Sequence, residues 1–228
     1  MFDYSKSSGE IWLYDEITAP GYGGISAGDV AKAIKAIGKK AITIRINSPG
    51  GDVNEGVAIF NLLDNHSKKV TTINDSLAAS IANYIFMAGA DRLVANNSLS
   101  MLHLPWTIAV GDAEAMRKTA DLLDKAAGTL IDTYSAKMGI DADEVTEVMT
   151  AETWYTGNEA FDAGMATAVQ SDNFQAEPFK VAAARFKNTP SKIRVAKAAG
   201  SNYRPKAMKL KRLIAEKERE LSLTAFRK

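Results

Sequence analysis

The sequence predicts an α/β domain with a largely parallel sheet, and three observations carry that expectation. Short apolar runs of strand type alternate with amphipathic helical runs from Glu10 to Val169. The most regular strand pattern, residues 41–47, ends in a tight Ser48-Pro49-Gly50-Gly51 loop and gives way to a helical pattern. The order β-α-β-α-β-α-β-β-α-α-α-β mostly joins strands through helices, the connection that parallel pairing requires.

Glu10 to Tyr14 reads as the first strand. Ser26 caps a helix whose Val30, Ala33, Ile34 and Ile37 share one face. After the strand at 41–47, Val57, Ile59, Phe60, Leu62 and Leu63 mark the second helix. A strand at 70–74, a helix-like run at about 79–88, a strand at 92–95 and an apolar stretch at 99–104 follow. From Asp112 to Met138 apolar residues recur at helical spacing without an intervening proline, which predicts one unusually long helix. Asp141 with Glu144, and Thr156 with Glu159, have the spacing of capping boxes, and Gly164 ends the second of these helices before a strand at 165–169.

Composition narrows the chemistry. The chain has 228 residues, is 46% hydrophobic and contains no cysteine, so thiol nucleophiles, disulfides and thiolate metal sites are excluded. Two histidines, His66 and His103, leave little material for an imidazole-rich metal centre, and no metal or other cofactor is expected. No stretch approaches the roughly 20 apolar residues of a membrane helix, and the N-terminal residues lack the pattern of a secretory signal, so a cytoplasmic protein with no membrane partner is expected. Charge divides the chain. Residues 1–175 hold 13 Lys and Arg against 23 Asp and Glu, whereas residues 176–228 hold 15 against 4. The first part is expected to be an enzyme-sized domain. The second is expected to be a basic, partly disordered tail with a short helix over 206–223.

Without cysteine, covalent catalysis would fall to Ser, Thr, Lys or a carboxylate. Ser80 follows a strand, opens a helix and is flanked by small residues that would let a substrate backbone approach. The same small residues would equally suit a helix packed on a sheet. His103 lies in the strand-like 100–104 stretch that Pro105 ends, where it could serve as a base or as a core residue. His66, at a helix C-terminus, reads as a solvated cap. Gly50 and Gly51 could be turn residues, or could present backbone N–H groups to a cleft; the absence of a following Lys-Ser/Thr argues against phosphate binding. Among the 23 carboxylates of the domain, Glu152 stands out slightly, beside Trp154 and Tyr155.

Taken together, Ile46-Asn-Ser-Pro-Gly-Gly51, Ala78-Ala-Ser80, Met101-Leu-His103-Leu-Pro105 and the run from Trp154 to Gly164 resemble, in order, the motifs of the Clp protease proteolytic subunit, the S14 serine peptidases. More narrowly, they resemble the Clp-related head maturation (prohead) proteases of phages and prophages. The resemblance covers roughly residues 10–170. It implies a ClpP/crotonase-like fold of repeated β-α units, with Ser80 as nucleophile, His103 as general base and Glu152 at the place of the triad acid. It further implies oxyanion-hole N–H groups from Gly51 and Ile81, a handle helix at 112–138 through which rings stack, and a cleft-side segment at 104–111.

The function so implied is that of a serine endopeptidase in a homo-oligomeric ring, cleaving scaffold or capsid precursors in the host cytoplasm or procapsid. The chain begins only about ten residues before the first strand, where the housekeeping enzymes carry the loops that engage an AAA+ unfoldase, which argues against that partner. An ATP-dependent degradative subunit, a crotonase-type acyl-CoA enzyme and an inert ring scaffold are the alternatives. The basic tail would serve as a tether or a self-cleavage substrate, or would contact nucleic acid.

Overall fold

A computed structural model describes residues 2–170 and 186–190. The helix expected over 206–223, with most of the basic tail, lies outside them. Five strands form the parallel body of the sheet: β2 (Glu10–Leu13), β3 (Ile42–Ser48), β4 (Val70–Ala79), β5 (Asp91–Ala95) and β8 (Ala168–Gln170), with β1 (Phe2–Ser5) antiparallel at one edge. β6 (Leu99–Leu102) leaves this path, pairing parallel with the end of β4 and antiparallel with β7 (Thr153–Thr156).

The helices follow from their caps and apolar faces. α1 (Ala27–Ile37) starts at Ser26 with a complete capping box to Asp29 and buries Val30, Ala33 and Ile37. α2 (Val53–Asp64) starts at Asp52, whose side chain accepts from the Glu55 N–H. α3 (Ile81–Phe86) is wholly buried. α4 (Ala113–Met138) is the expected long helix of 26 residues, ended by Gly139 in the left-handed conformation. Its second half enters the core through Ala127, Leu130, Tyr134 and Met138, whereas most of its first half is exposed. α6 (Gly157–Asp162) has the expected Thr156–Glu159 capping box. At α5 (Ala142–Thr150) the expectation is corrected: the Asp141 side chain makes no capping bond, and the box is not formed.

Other element boundaries also differ. β1 and β7, four residues each and only partly buried, escape a pattern search because so short a run shows no clear period. β4 runs on to Ala79, where a strand ending at 74 and a helix from about 79 were expected. The extension is irregular. Ile46 pairs with Asn74 but Ser48 pairs with Ala78, so β4 carries extra residues opposite Asn47. At this irregularity β4 changes its neighbour, from β5 at residues 71–74 to β6 at 77–79. Asp75 sits there buried, taking the Nε and Nη2 of Arg45 at 2.9 and 2.6 Å and the Tyr14 hydroxyl at 2.6 Å. Burial pushes the Asp75 carboxyl up, against the opposing pull of Tyr14 and Arg45.

Candidate active site

The exit of β4 and the exit of β6 stand side by side because Ala79 pairs with Met101 and the Ser80 N–H continues the ladder to the Met101 carbonyl at 2.9 Å. Ser80 is the first residue after β4. Its backbone, at φ 56° and ψ −131°, turns the chain sharply into α3 and lifts the hydroxyl off the sheet. A non-glycine residue held there costs about 1–3 kcal/mol, which the buried surroundings of α3 sustain. His103 is the first residue after β6, and its Nε2 lies 2.7 Å from Ser80 Oγ. The two residues singled out as nucleophile and base are therefore in direct hydrogen-bond contact. His66, the other histidine, places its Nε2 2.8 Å from the Lys40 carbonyl at the surface, away from this pair.

The Pro49-Gly50-Gly51 turn lies against the serine. A Cβ on Gly50 would stand 2.6 Å from the Ala79 carbonyl oxygen, 2.8 Å from Ser80 Cβ and 3.0 Å from the Ile81 nitrogen. Gly51 is held at φ +144° by the bridge to Ile17, where a Cβ would overlap the Ile17 carbonyl. Both glycines are thus required by close approach. The Gly51 N–H has no backbone acceptor among the described residues. Ile81, as the first residue of α3, has no intrahelical acceptor for its own. Gly51 lines the same cleft as Ser80, and Ile81 follows the serine directly in the chain.

Glu152 adopts φ 47°, again unusual for a non-glycine residue, and is only 7% exposed. Its Oε2 accepts the Lys187 N–H at 2.8 Å and its Oε1 the Asn188 N–H at 2.6 Å. No hydrogen bond joins it to His103 among the described residues; its effect on the imidazole is electrostatic. Burial holds His103 below the usual histidine value, while the Glu152 charge pulls it up and Lys187 pulls it down.

Phe186 was not foreseen from the sequence. It is buried, with its ring edge-on to His103 at 5.7 Å and to Trp154 at 5.6 Å between centroids, and it packs with Leu77 and Met101. An isolated aromatic between Arg185 and Lys187 was the one available signal, masked by the basic composition around it. A cleft of about 610 Å³ opens over the pair, lined by Ile17, Gly51, Ser80, His103 and Trp106 among others. Pro105, Trp106, Thr107 and Ile108 contribute to its wall, as expected of the 104–111 segment, with Trp106 and Ile108 largely exposed.

Comparison with known proteins bears on the family and the fold. Residues 9–173 match the family model described as Clp protease. An ATP-dependent Clp protease proteolytic subunit 1 from Leifsonia xyli is 28% identical over 166 residues, 72% of this chain and 84% of the relative. A proteolytic subunit from Bacteroides fragilis is 34% identical over 128 residues, 55% of this chain and 62% of the relative, so the chain spans under two thirds of that protein. A ClpP1 mutant from Listeria monocytogenes has the same fold, with a TM-score of 0.65 at 21% identity over 75% of this chain and 96% of the other.

Proposed function

The chain belongs to the Clp protease family of serine-type peptidases, and from that premise we propose that it is an endopeptidase with Ser80 as nucleophile and His103 as general base. The observation that carries the reading is the 2.7 Å contact between Ser80 Oγ and His103 Nε2, in a cleft that Gly51 also lines. As Ser80 Oγ attacks a peptide carbonyl, its proton passes to His103 Nε2 and the new alkoxide is held by the N–H groups of Gly51 and Ile81. The imidazolium then gives the proton to the departing amine. Water, deprotonated by the same nitrogen, hydrolyses the acyl-enzyme and restores Ser80. Glu152 stabilises the imidazolium through its charge.

Ring assembly is part of the proposal. The exposed first half of α4, which carries Met116 and the 67% exposed Leu122, is the surface through which copies would stack. The crotonase alternative loses ground, because acyl-CoA chemistry would not require the Ser80–His103 pair. Two physiological settings remain within the reading. The match to subunits named as ATP-dependent favours a degradative protease fed by an unfoldase. The basic segment after residue 175, net +11 by formal charge, favours a head maturation protease acting on scaffold or capsid precursors. Degradation of a folded substrate only with an AAA+ unfoldase and ATP would select the first; unaided cleavage of a capsid precursor would select the second.

The chemistry is tested by intact-mass spectrometry after exposure to a fluorophosphonate. One adduct per chain is expected in the wild type and none in Ser80→Ala, which should also lose peptide cleavage while keeping its oligomeric size. Cleavage retained by Ser80→Ala would overturn the assignment.

A further inference from the structure

The family match ends at residue 173, yet three residues beyond it touch the candidate site. Phe186 packs edge-on against His103 on one side and Trp154 on the other. The next two backbone N–H groups, of Lys187 and Asn188, each hold one oxygen of Glu152. The Asn188 side chain adds a bond from Nδ2 to the Ala151 carbonyl at 2.8 Å, tying the segment to the residue before Glu152. A glutamate at φ 47° needs such support to keep its place. Because the cleft above Ser80 stays open with Phe186 docked at its edge, the segment does not occupy the nucleophile's approach.

We propose that Phe186, Lys187 and Asn188 are positioning residues of the active site: Phe186 is the wall that fixes and dries His103, and the two successive amides are the clamp that fixes Glu152. This rests on the reading of Ser80 and His103 as the catalytic pair. The clamp holds Glu152 through backbone N–H groups, so loss of an N–H disrupts it more than a change of side chain, with the Asn188 side chain adding its bond to the Ala151 carbonyl. The wall acts through ring volume, so an aliphatic residue of similar bulk can replace it. The charged groups that act on His103 are Glu152, which favours its protonated form, and Lys187, which opposes it.

The test is the rate of fluorophosphonate labelling of Ser80 in the full-length chain as a function of pH. Phe186→Ala should label about tenfold more slowly, the size expected when a general base is loosened rather than lost. Its pH midpoint should move upward, because water reaching the imidazole relieves the burial that holds its pKa down. Phe186→Leu should restore both rate and midpoint. Asn188→Pro, which deletes the N–H, should likewise lose about tenfold, a larger loss than in Asn188→Ala, which removes only the Nδ2 bond to the Ala151 carbonyl. Wild-type rates and midpoints in both Phe186→Ala and Asn188→Pro would overturn the proposal. So would faster labelling, which would make the segment an obstruction. A folded wild-type chain that takes no label at all would instead overturn the serine peptidase reading on which the proposal stands.

Discussion

His103 is held by opposing influences, and their balance is measurable. Burial depresses its pKa and the Glu152 charge raises it, with burial the larger. In the proposed role of base, His103 must be neutral to accept the Ser80 proton, so the labelling rate should rise through a midpoint below the ordinary histidine value of about 6.5. Glu152→Gln removes the influence that raises the pKa. Its midpoint should therefore move further down, opposite to that of Phe186→Ala, and its plateau rate should fall roughly tenfold to a hundredfold as the imidazolium loses its counter-charge. Labelling profiles of the two variants check both signs. Ser80 and His103 could be found from sequence because each closes a short motif at the end of a strand. The partners of Glu152 could not, since they come from 35 and 36 residues further along, across a composition boundary, and donate through backbone atoms that carry no residue signature.

Among the elements, β4 does most to position the chemistry. Its extra residues opposite Asn47 let one strand serve two neighbours, and the buried Arg45–Asp75–Tyr14 cluster stands where the change occurs. Asp75→Asn removes the buried carboxylate that takes two hydrogen bonds from Arg45 and leaves the more distant Glu10 as its acidic neighbour, which should lower stability by roughly 3 kcal/mol, read by urea unfolding. Gly50→Ala forces a Cβ to within 2.6 Å of the Ala79 carbonyl at φ +88°. A loss of roughly 1–3 kcal/mol is expected in the same assay, with labelling of Ser80 falling in parallel as the turn is driven off the serine. The parallel sheet, α1, α2, α4 and α6 were legible because their apolar periods and most of their caps are local properties. The continuation of β4 through Ser76-Leu77-Ala78-Ala79 was not: its small residues suit a helix start as well as a strand, and pairing with the distant β6 decides between them.

At the scale of the whole molecule, α4 is anchored at one end and open at the other. Its C-terminal half packs into the core, while Met116 and Leu122 face solvent on the first half. If copies stack through this surface, Met116→Asp with Leu122→Asp should halve the particle mass seen by native mass spectrometry without lowering the Tm of the subunit. An unchanged mass would place the assembly contact elsewhere. Nothing in the local pattern of α4 distinguishes a helix destined for another copy from an exposed one; its length was the readable sign, and the resemblance supplied the meaning.

The ladder that joins the strands leading to Ser80 and His103 is short. β4 and β6 share only three register pairs, Leu77–Leu99, Ala78–Ser100 and Ala79–Met101, while β3 and β4 are matched along most of their length. Short ladders open more readily than the body of a sheet. The Ser80 amide should therefore exchange its hydrogen with solvent well before that of Ile73 in the same strand. The chain would then hold a population in which β6 and β7 have let go of β4 and Ser80 has lost its contact with His103, although the rest of the fold is intact. Whatever grips β6 and β7 from outside would raise activity by depleting that population, with no change in the shape of the assembled site.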